Sequence, residues 1–253
     1  MLAKQWLSNV RTIMDTIEGT QMENIRKAAE TMANSIQAGR WVHLFGCGHA
    51  TLPVEEIYPR IGGFVGFHPM IELPLSFFTR ITGEMGVHQF LFLERVEGYG
   101  VEIMKEYNFD ARDTMWLFSH TGINNVNIDI AIEAKKKGMT VIAYGSVAAA
   151  KGKQTRHSSG KTIFDVADLV VDTCAPVEDA SVVLKNHQDK VGPVSTMAFV
   201  TTVWMTVTTV AEILAARGVK LFIHPSHNVP GDNTPRERLE EALAEYKRRV
   251  AGV

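Results

Sequence analysis

The first forty residues carry apolar side chains at the three- and four-residue spacing of an amphipathic helix. The pattern stops at Gly19 and resumes at Thr20. A glycine often ends a helix, and Thr20 followed three residues later by Glu23 matches a capping box that opens one. The pattern therefore predicts two N-terminal helices over residues 1–39, with an apolar stripe suited to the core or to a subunit interface.

Beyond residue 40, short runs rich in Val, Ile and Phe alternate with helical patterns. The predicted strands are Trp41–Phe45, Phe64–Phe67, Met115–Phe118, Val141–Tyr144 and Leu169–Val171. Alternation of this kind predicts a parallel sheet with helical crossovers, which is an α/β fold. A nearly all-apolar helix is expected from Ser195 to Arg217, and a charged helix from about Pro235.

A length of 253 residues suits one large α/β domain. We expect a single domain over 1–253, made of a helical extension at 1–39, a core at 40–218, and a tail with a final helix at 219–253. The net charge of −2, with both signs interspersed, argues against a nucleic-acid surface or a polybasic membrane patch. The chain shows no secretory signal pattern, no stretch that approaches a membrane span, and only two cysteines. We therefore expect a cytoplasmic protein with a small ligand and with no nucleic-acid or membrane partner.

Two of the predicted strands run into turns rich in glycine, hydroxyl and amide groups, each opening a helical pattern. The turns are Gly46-Cys47-Gly48-His49-Ala50-Thr51 and Ser119-His120-Thr121-Gly122-Ile123-Asn124. Backbone N–H groups and hydroxyls at a helix start bind phosphate, and ligands of parallel sheets lie at the carboxyl ends of strands. The first turn lacks a Walker lysine and the third glycine of a dinucleotide fingerprint, which disfavours a nucleotide. Together the turns predict a cradle for a phosphate monoester.

A long segment without periodicity, residues 147–162, carries a basic and serine-rich cluster at Arg156–Lys161. Loops of this length are usually functional or disordered. Arg156 is therefore a candidate for contact with an anionic substrate.

The two turns, Arg156–Lys161 and Lys190–Thr196, in this order, resemble the sugar isomerase (SIS) domain over about residues 1–250. The resemblance is to stand-alone members related to phosphoheptose isomerases. It implies a three-layer, flavodoxin-like fold with a five-stranded parallel sheet, and a phosphosugar bound at the strand ends. It also implies a homo-oligomer, which we expect to be a homodimer or a homotetramer, with a neighbouring subunit often closing the site.

The resemblance further implies which residues bind the phosphate. The first turn has Ala50 where the family commonly has a serine, so Thr51 or backbone N–H groups would replace that contact. The implied phosphate ligands are Gly46, Gly48, Thr51, Ser119, Thr121, Gly122 and Asn124, with Arg156, Lys190, Ser195 and Thr196 as further donors.

Aldose–ketose isomerisation needs a base that moves a proton between adjacent carbons and a group that moves the hydroxyl proton. Phosphoheptose isomerases place a glutamate on the helix after the first turn, which makes Glu56, or Glu55, the implied base; a surface pair of Glu56 with Arg60 is the alternative. The histidine of the family's last long helix is absent here, so His49 and His187 are the substitutes. Because His49 and Glu56 alone are an incomplete metal site, we expect no metal and no other cofactor.

Two classes of function remain open at this stage. One is an enzyme: a sugar-phosphate isomerase, with an etherase or deglycase acting on a sugar 6-phosphate as a variant. The other is a phosphosugar-binding sensor without turnover, which the same cradle would support. A sensor needs the hydroxyl-rich turns but no proton-transfer group.

Overall fold

The computed structural model describes residues 1–57, 60–76, 86–229, 231 and 234–252. Its strands are Val42–Gly46 (β1), Phe67–Pro69 (β2), Thr114–Phe118 (β3), Thr140–Gly145 (β4), Leu169–Asp172 (β5), Ala180–Val182 (β6) and Val191–Pro193 (β7). Its α-helices are Leu2–Gln37 (α1), Leu52–Ile57 (α2), Leu73–Ser76 (α3), Gly86–Leu93 (α4), Tyr99–Lys105 (α5), Asn125–Lys136 (α6), Val147–Ala150 (α7), Ile163–Val166 (α8), Ser195–Ala216 (α9) and Pro235–Val250 (α10).

Strands β1 to β5 form one parallel sheet in the order β2-β1-β3-β4-β5. This is the flavodoxin-like, doubly wound order, in which ligands bind where the chain reverses direction across the sheet. The pairing of β1 with β3 ends at Gly46 opposite Phe118, so the two glycine- and hydroxyl-rich turns leave the same edge side by side. The predicted five-stranded parallel sheet is confirmed.

Helices cover both faces of the sheet and leave its strands buried on both sides, as parallel sheets require. Helices α1, α2 and α9 build one half of the core, and α4, α5, α6 and α8 build the other. All five residues of β1 and all five of β3 are buried. The turns that follow β1 and β3 are therefore attached to fully buried strands.

The N-terminal segment is one helix, so the prediction of two helices is wrong. Gly19 lies within α1, with open space around it. The hydroxyl of Thr20 donates to the carbonyl of Thr16 at 2.7 Å instead of capping a new helix. A glycine inside a helix costs about 1 kcal/mol relative to alanine. Packing of α1 against α9 and the sheet, which buries Ile17 and Ile25 completely, outweighs that cost.

The second strand begins three residues and ends two residues later than predicted. Gly66 adopts a φ of +148°, which interrupts the extended run before Phe67. Phe64 instead forms an isolated antiparallel bridge with Ile223 in the C-terminal tail. The apolar run is buried, but the pairing partner of Phe64 is not visible from local sequence.

Helix α9 is long and apolar enough, by length and composition only, to cross a membrane. The prediction that no stretch approaches a membrane span is therefore wrong for this helix. Half of its most apolar stretch of 18 residues is buried in the structure. Core helices have the same composition, and α9 packs along α1.

Candidate functional site

A cavity of about 280 Å³ lies between the two predicted turns, at the carboxyl ends of β1 and β3. Small-molecule pockets occupy roughly 300–1,000 Å³, so this one suits a single small ligand. Among the residues that line it, those with polar groups include Cys47, Gly48, His49, Glu94, Ser119, His120, Thr121, Asn124 and Asn127. The structure thus brings the two predicted turns together around one space.

The first turn is tight because two positions admit only glycine. A Cβ on Gly46 would lie 2.1 Å from the carbonyl oxygen of Ala50. Gly48 has a φ of +60°, and a Cβ there would lie 2.7 Å from the ring of Phe90. Thr51 does not line the cavity, because its buried hydroxyl donates to the Gly48 carbonyl at 2.7 Å.

The second turn is organised by Ser119, whose Oγ accepts a hydrogen bond from the Gly122 amide at 3.0 Å. Gly122 has a φ of +71°, as a left-handed turn residue. The turn ends at Asn124, the N-cap of α6, whose side chain makes no hydrogen bond to the helix start. Ser119 Oγ donates no hydrogen bond to any of the described residues, so its hydroxyl proton is available to a ligand.

Glu94 is a polar group of the cavity that sequence reasoning missed. The residue is 7% exposed, and its carboxyl accepts a 2.6 Å hydrogen bond at Oε2 from the side-chain amide of Asn124. Burial raises the pKa of Glu94 to about 7, against the opposing charge of Arg95. No local pattern marks the residue, since it follows α4 directly and meets Asn124 only through the tertiary fold.

Two histidines share the cavity. The rings of His49 and His120 have centroids 6.3 Å apart. Burial lowers the pKa of both side chains, while the charge of Asp179 opposes the shift. Both imidazoles are therefore neutral near pH 7, and a neutral imidazole carries one donor and one acceptor. His49 was predicted for this site, and His120 was not.

The two predicted glutamates of α2 lie outside the cavity. Glu56 accepts a hydrogen bond from Trp204 Nε1 at 3.2 Å and forms an ion pair with Arg60 at 3.2 Å. The side chain of Glu55 does not line the cavity either, although burial raises its pKa. The hydrogen bond from Trp204 joins α2 to α9. The ion pair with Arg60 matches the alternative interpretation of Glu56 given above.

The N-terminus of α9 is occupied by a carboxylate of the protein itself. The carboxylate of Asp179 accepts hydrogen bonds from the Ser195 amide at 2.7 Å and from the Ser195 hydroxyl at 2.8 Å. These donors are therefore engaged within the chain. Neither Ser195 nor Thr196 lines the cavity, so the structure does not bring this helix start to the predicted phosphate site.

The remaining predicted residues are dispersed. Lys190 forms an ion pair with Glu178 at 2.8 Å beside a larger groove along α1. His187 is exposed, and Arg156 lines a separate groove next to α4. Within the described ranges, no three His, Cys, Asp or Glu side chains come close enough to hold a metal ion.

Comparisons with known proteins show the family of the chain. A family model described as the SIS domain matches residues 5–146. The chain belongs to the SIS domain family. Among curated relatives, a UPF0309 protein of Shouchella clausii is 33% identical, covering 91% of this chain and 92% of that protein. A second, from Oceanobacillus iheyensis, is 31% identical and covers 94% and 95%.

Solved structures share the SIS fold. The phosphoheptose isomerase of Francisella tularensis superposes with a TM-score of 0.51 at 13% identity, covering 83% of this chain and 96% of that one. The phosphoheptose isomerase of Neisseria gonorrhoeae gives 0.52 at 12% identity, covering 81% and 95%. At this identity the likeness establishes the fold and nothing finer. The predicted SIS fold is confirmed.

Proposed function

We propose that the chain binds a sugar phosphate in the cavity and interconverts its aldose and ketose forms. The observation that carries the proposal is Glu94, a buried carboxyl with a pKa of about 7 on the same cavity as the neutral donors. A general base works best when its pKa lies near the working pH. A sensor would need the donors but no such group.

The phosphate is proposed to lie at the second turn. Ser119 and Thr121 supply hydroxyls there, and α6 directs the positive end of its dipole to the same place. The backbone amides of Ile123 and Asn124 donate to no acceptor in the described part of the chain. These groups are neutral donors of the kind that bind a phosphate monoester.

Proton transfer is proposed to use Glu94 and one of the two histidines. The carboxylate of Glu94 removes the proton from C2 of an open-chain aldose and returns it to C1 of the enediol. Neutral His49 or His120 carries the proton between the two oxygens, because its imidazole donates at one nitrogen and accepts at the other. With a pKa of about 7, Glu94 is about half ionised at neutral pH and can both accept and return a proton.

This assignment replaces Glu56 with Glu94. Glu56 has its carboxylate directed at Trp204 and Arg60, and a base must lie within hydrogen-bond reach of the proton it removes. If Glu94 is the base, Glu94→Gln should slow hydrogen exchange and Glu56→Gln should not. If Glu56 is the base, the reverse is expected.

The proposal is tested by incubating the protein in D₂O with a panel of aldose and ketose phosphates and following C1 and C2 by NMR. We expect deuterium incorporation and conversion with at least one sugar phosphate that binds. Binding without exchange would contradict the isomerase and favour a sensor. Release of a substituent from a sugar 6-phosphate without interconversion would instead indicate an etherase or deglycase.

A further inference from the structure

We propose that a groove beside the cavity binds a second anionic group, so that the ligand is a sugar phosphate with an additional carboxylate or phosphate. This inference rests on the proposed function, because it assumes that the first phosphate lies in the cavity. It assigns a role to Arg95 and Arg156, which the phosphate cradle does not use.

The groove and the cavity are neighbours on either side of the end of α4. The groove has a volume of about 420 Å³, and Leu91 lines both spaces. Glu94 faces the cavity, while the next residue, Arg95, lines the groove. A ligand that fills the cavity and extends past Leu91 would therefore enter the groove.

The groove carries two guanidinium groups, and among the described residues only that of Arg95 has a carboxylate, Glu94, within 4.0 Å. Arg156 forms no hydrogen bond or ion pair with any of them. The side chain of Arg95 is 49% exposed, and its closest carboxylate is Glu94, at 4.0 Å. The nearby carboxylate of Glu97 already accepts two hydrogen bonds from Ser158. An anion from outside would thus meet two guanidinium groups.

The loop that carries Arg156 is held by hydrogen bonds of the residues that follow it. His157 is buried, with Nε2 3.0 Å from Asp129 Oδ1 and Nδ1 2.8 Å from Ser159 Oγ. The amide of Ser158 adds a 2.9 Å hydrogen bond to the Glu97 carboxylate. Because these contacts lie directly beside Arg156, its backbone is positioned before a ligand arrives, which lowers the entropy cost of binding.

The chemistry of the groove favours a small acidic group over a polyanion. Guanidinium groups bind carboxylate and phosphate through paired, charge-assisted hydrogen bonds. His88, Leu91, Phe92 and Val96 complete the lining of the groove. Two arginines on a chain of net charge −2 do not form the extended basic surface that nucleic acids require.

The test compares matched pairs of ligands by calorimetry. Suitable pairs are fructose 6-phosphate with fructose 1,6-bisphosphate, and glucose 6-phosphate with 6-phosphogluconate, within a wider panel built the same way. We expect the doubly acidic member of at least one pair to bind about tenfold more tightly than its partner, as for a hydrogen bond between charged groups. Preference for the bisphosphate alone would identify a phosphate, and preference for the acid alone a carboxylate.

The decisive variant is Arg156→Ala, which is expected to remove the preference and leave monophosphate affinity unchanged. Lys161→Ala is the matched control, since it removes one positive charge from the same loop outside the groove. Arg95→Ala is a secondary variant because the charge of Arg95 also acts on Glu94.

Three outcomes separate the two proposals. Equal affinity within every pair, or a preference that survives Arg156→Ala, would overturn the groove assignment and leave the proposed function standing. An equal loss of preference in Lys161→Ala would show a general charge effect and would also overturn it. Failure of every sugar phosphate in the panel to bind would contradict the proposed function itself.

Discussion

Substitution of Glu94 by glutamine is expected to change how the free energy of unfolding depends on pH. Burial raises the pKa of Glu94 from 4.5 to about 7. A carboxyl with a raised pKa stabilises the fold below its unfolded pKa, and this contribution is lost as pH rises through the folded pKa. Between pH 5 and pH 8 the wild-type protein should therefore lose about 2.5 kcal/mol through this one group.

The glutamine variant keeps the shape of the side chain and an oxygen that can accept from Asn124, but it cannot ionise. Glu94→Gln should therefore lack this loss and gain stability relative to the wild type as pH rises. Urea denaturation at pH 5 and pH 8, at one fixed protein concentration, measures the difference. Glu18→Gln, at an exposed carboxylate, is the control and should follow the wild type. An identical pH dependence in Glu94→Gln and the wild type would refute the assignment of Glu94 as a buried acid.

Three further predictions address stability, ligand binding and assembly. Burial lowers the pKa of His68, whose Nδ1 lies 3.1 Å from that of His43, to about 4. Lowering pH from 6.5 to 5 should thus destabilise the wild type by about 1.5 kcal/mol more than His68→Gln, and equal losses in urea titrations would contradict this. The double variant Ser119→Ala, Thr121→Ala should weaken sugar-phosphate binding by about 1 to 3 kcal/mol per lost contact; unchanged affinity by calorimetry would place the phosphate elsewhere. Because α1 exposes apolar side chains such as Leu7, which is 41% exposed, we expect a homodimer or homotetramer, and sedimentation of a stable monomer at micromolar concentration would disprove it.

The parts of the fold that periodicity specifies were predictable. Four of the five strands of the parallel sheet were placed to within about two residues, because each is a buried run bounded by turn residues. The failures came from tertiary contacts. Gly19 is typical of a helix end, yet α1 continues past it because the helix is held by its tertiary packing. The Phe64–Phe67 run is typical of one strand, yet β2 begins only at Phe67. Phe64 instead pairs with Ile223, more than 150 residues away.

The candidate site also has a part that could be predicted from the sequence and a part that could not. The turns at Gly48 and Ser119 were predictable, because the carboxyl ends of neighbouring parallel strands meet at one edge. The predicted base, Glu56, came from the resemblance to phosphoheptose isomerases, and the structure places its carboxylate on Trp204. Glu94 could not be found from the sequence, because its pKa depends on burial that only the assembled fold creates.

The proposed function depends most directly on the role of Glu94, and solvent hydrogen exchange measures that role. With a sugar phosphate that binds, Glu94→Gln should leave affinity nearly intact and slow deuterium incorporation at C1 and C2 by a factor on the order of 10² to 10⁴, as for removal of a general base. Glu56→Gln, measured beside it, should exchange at close to the wild-type rate. Wild-type exchange in Glu94→Gln, or a loss of exchange confined to Glu56→Gln, would contradict the account.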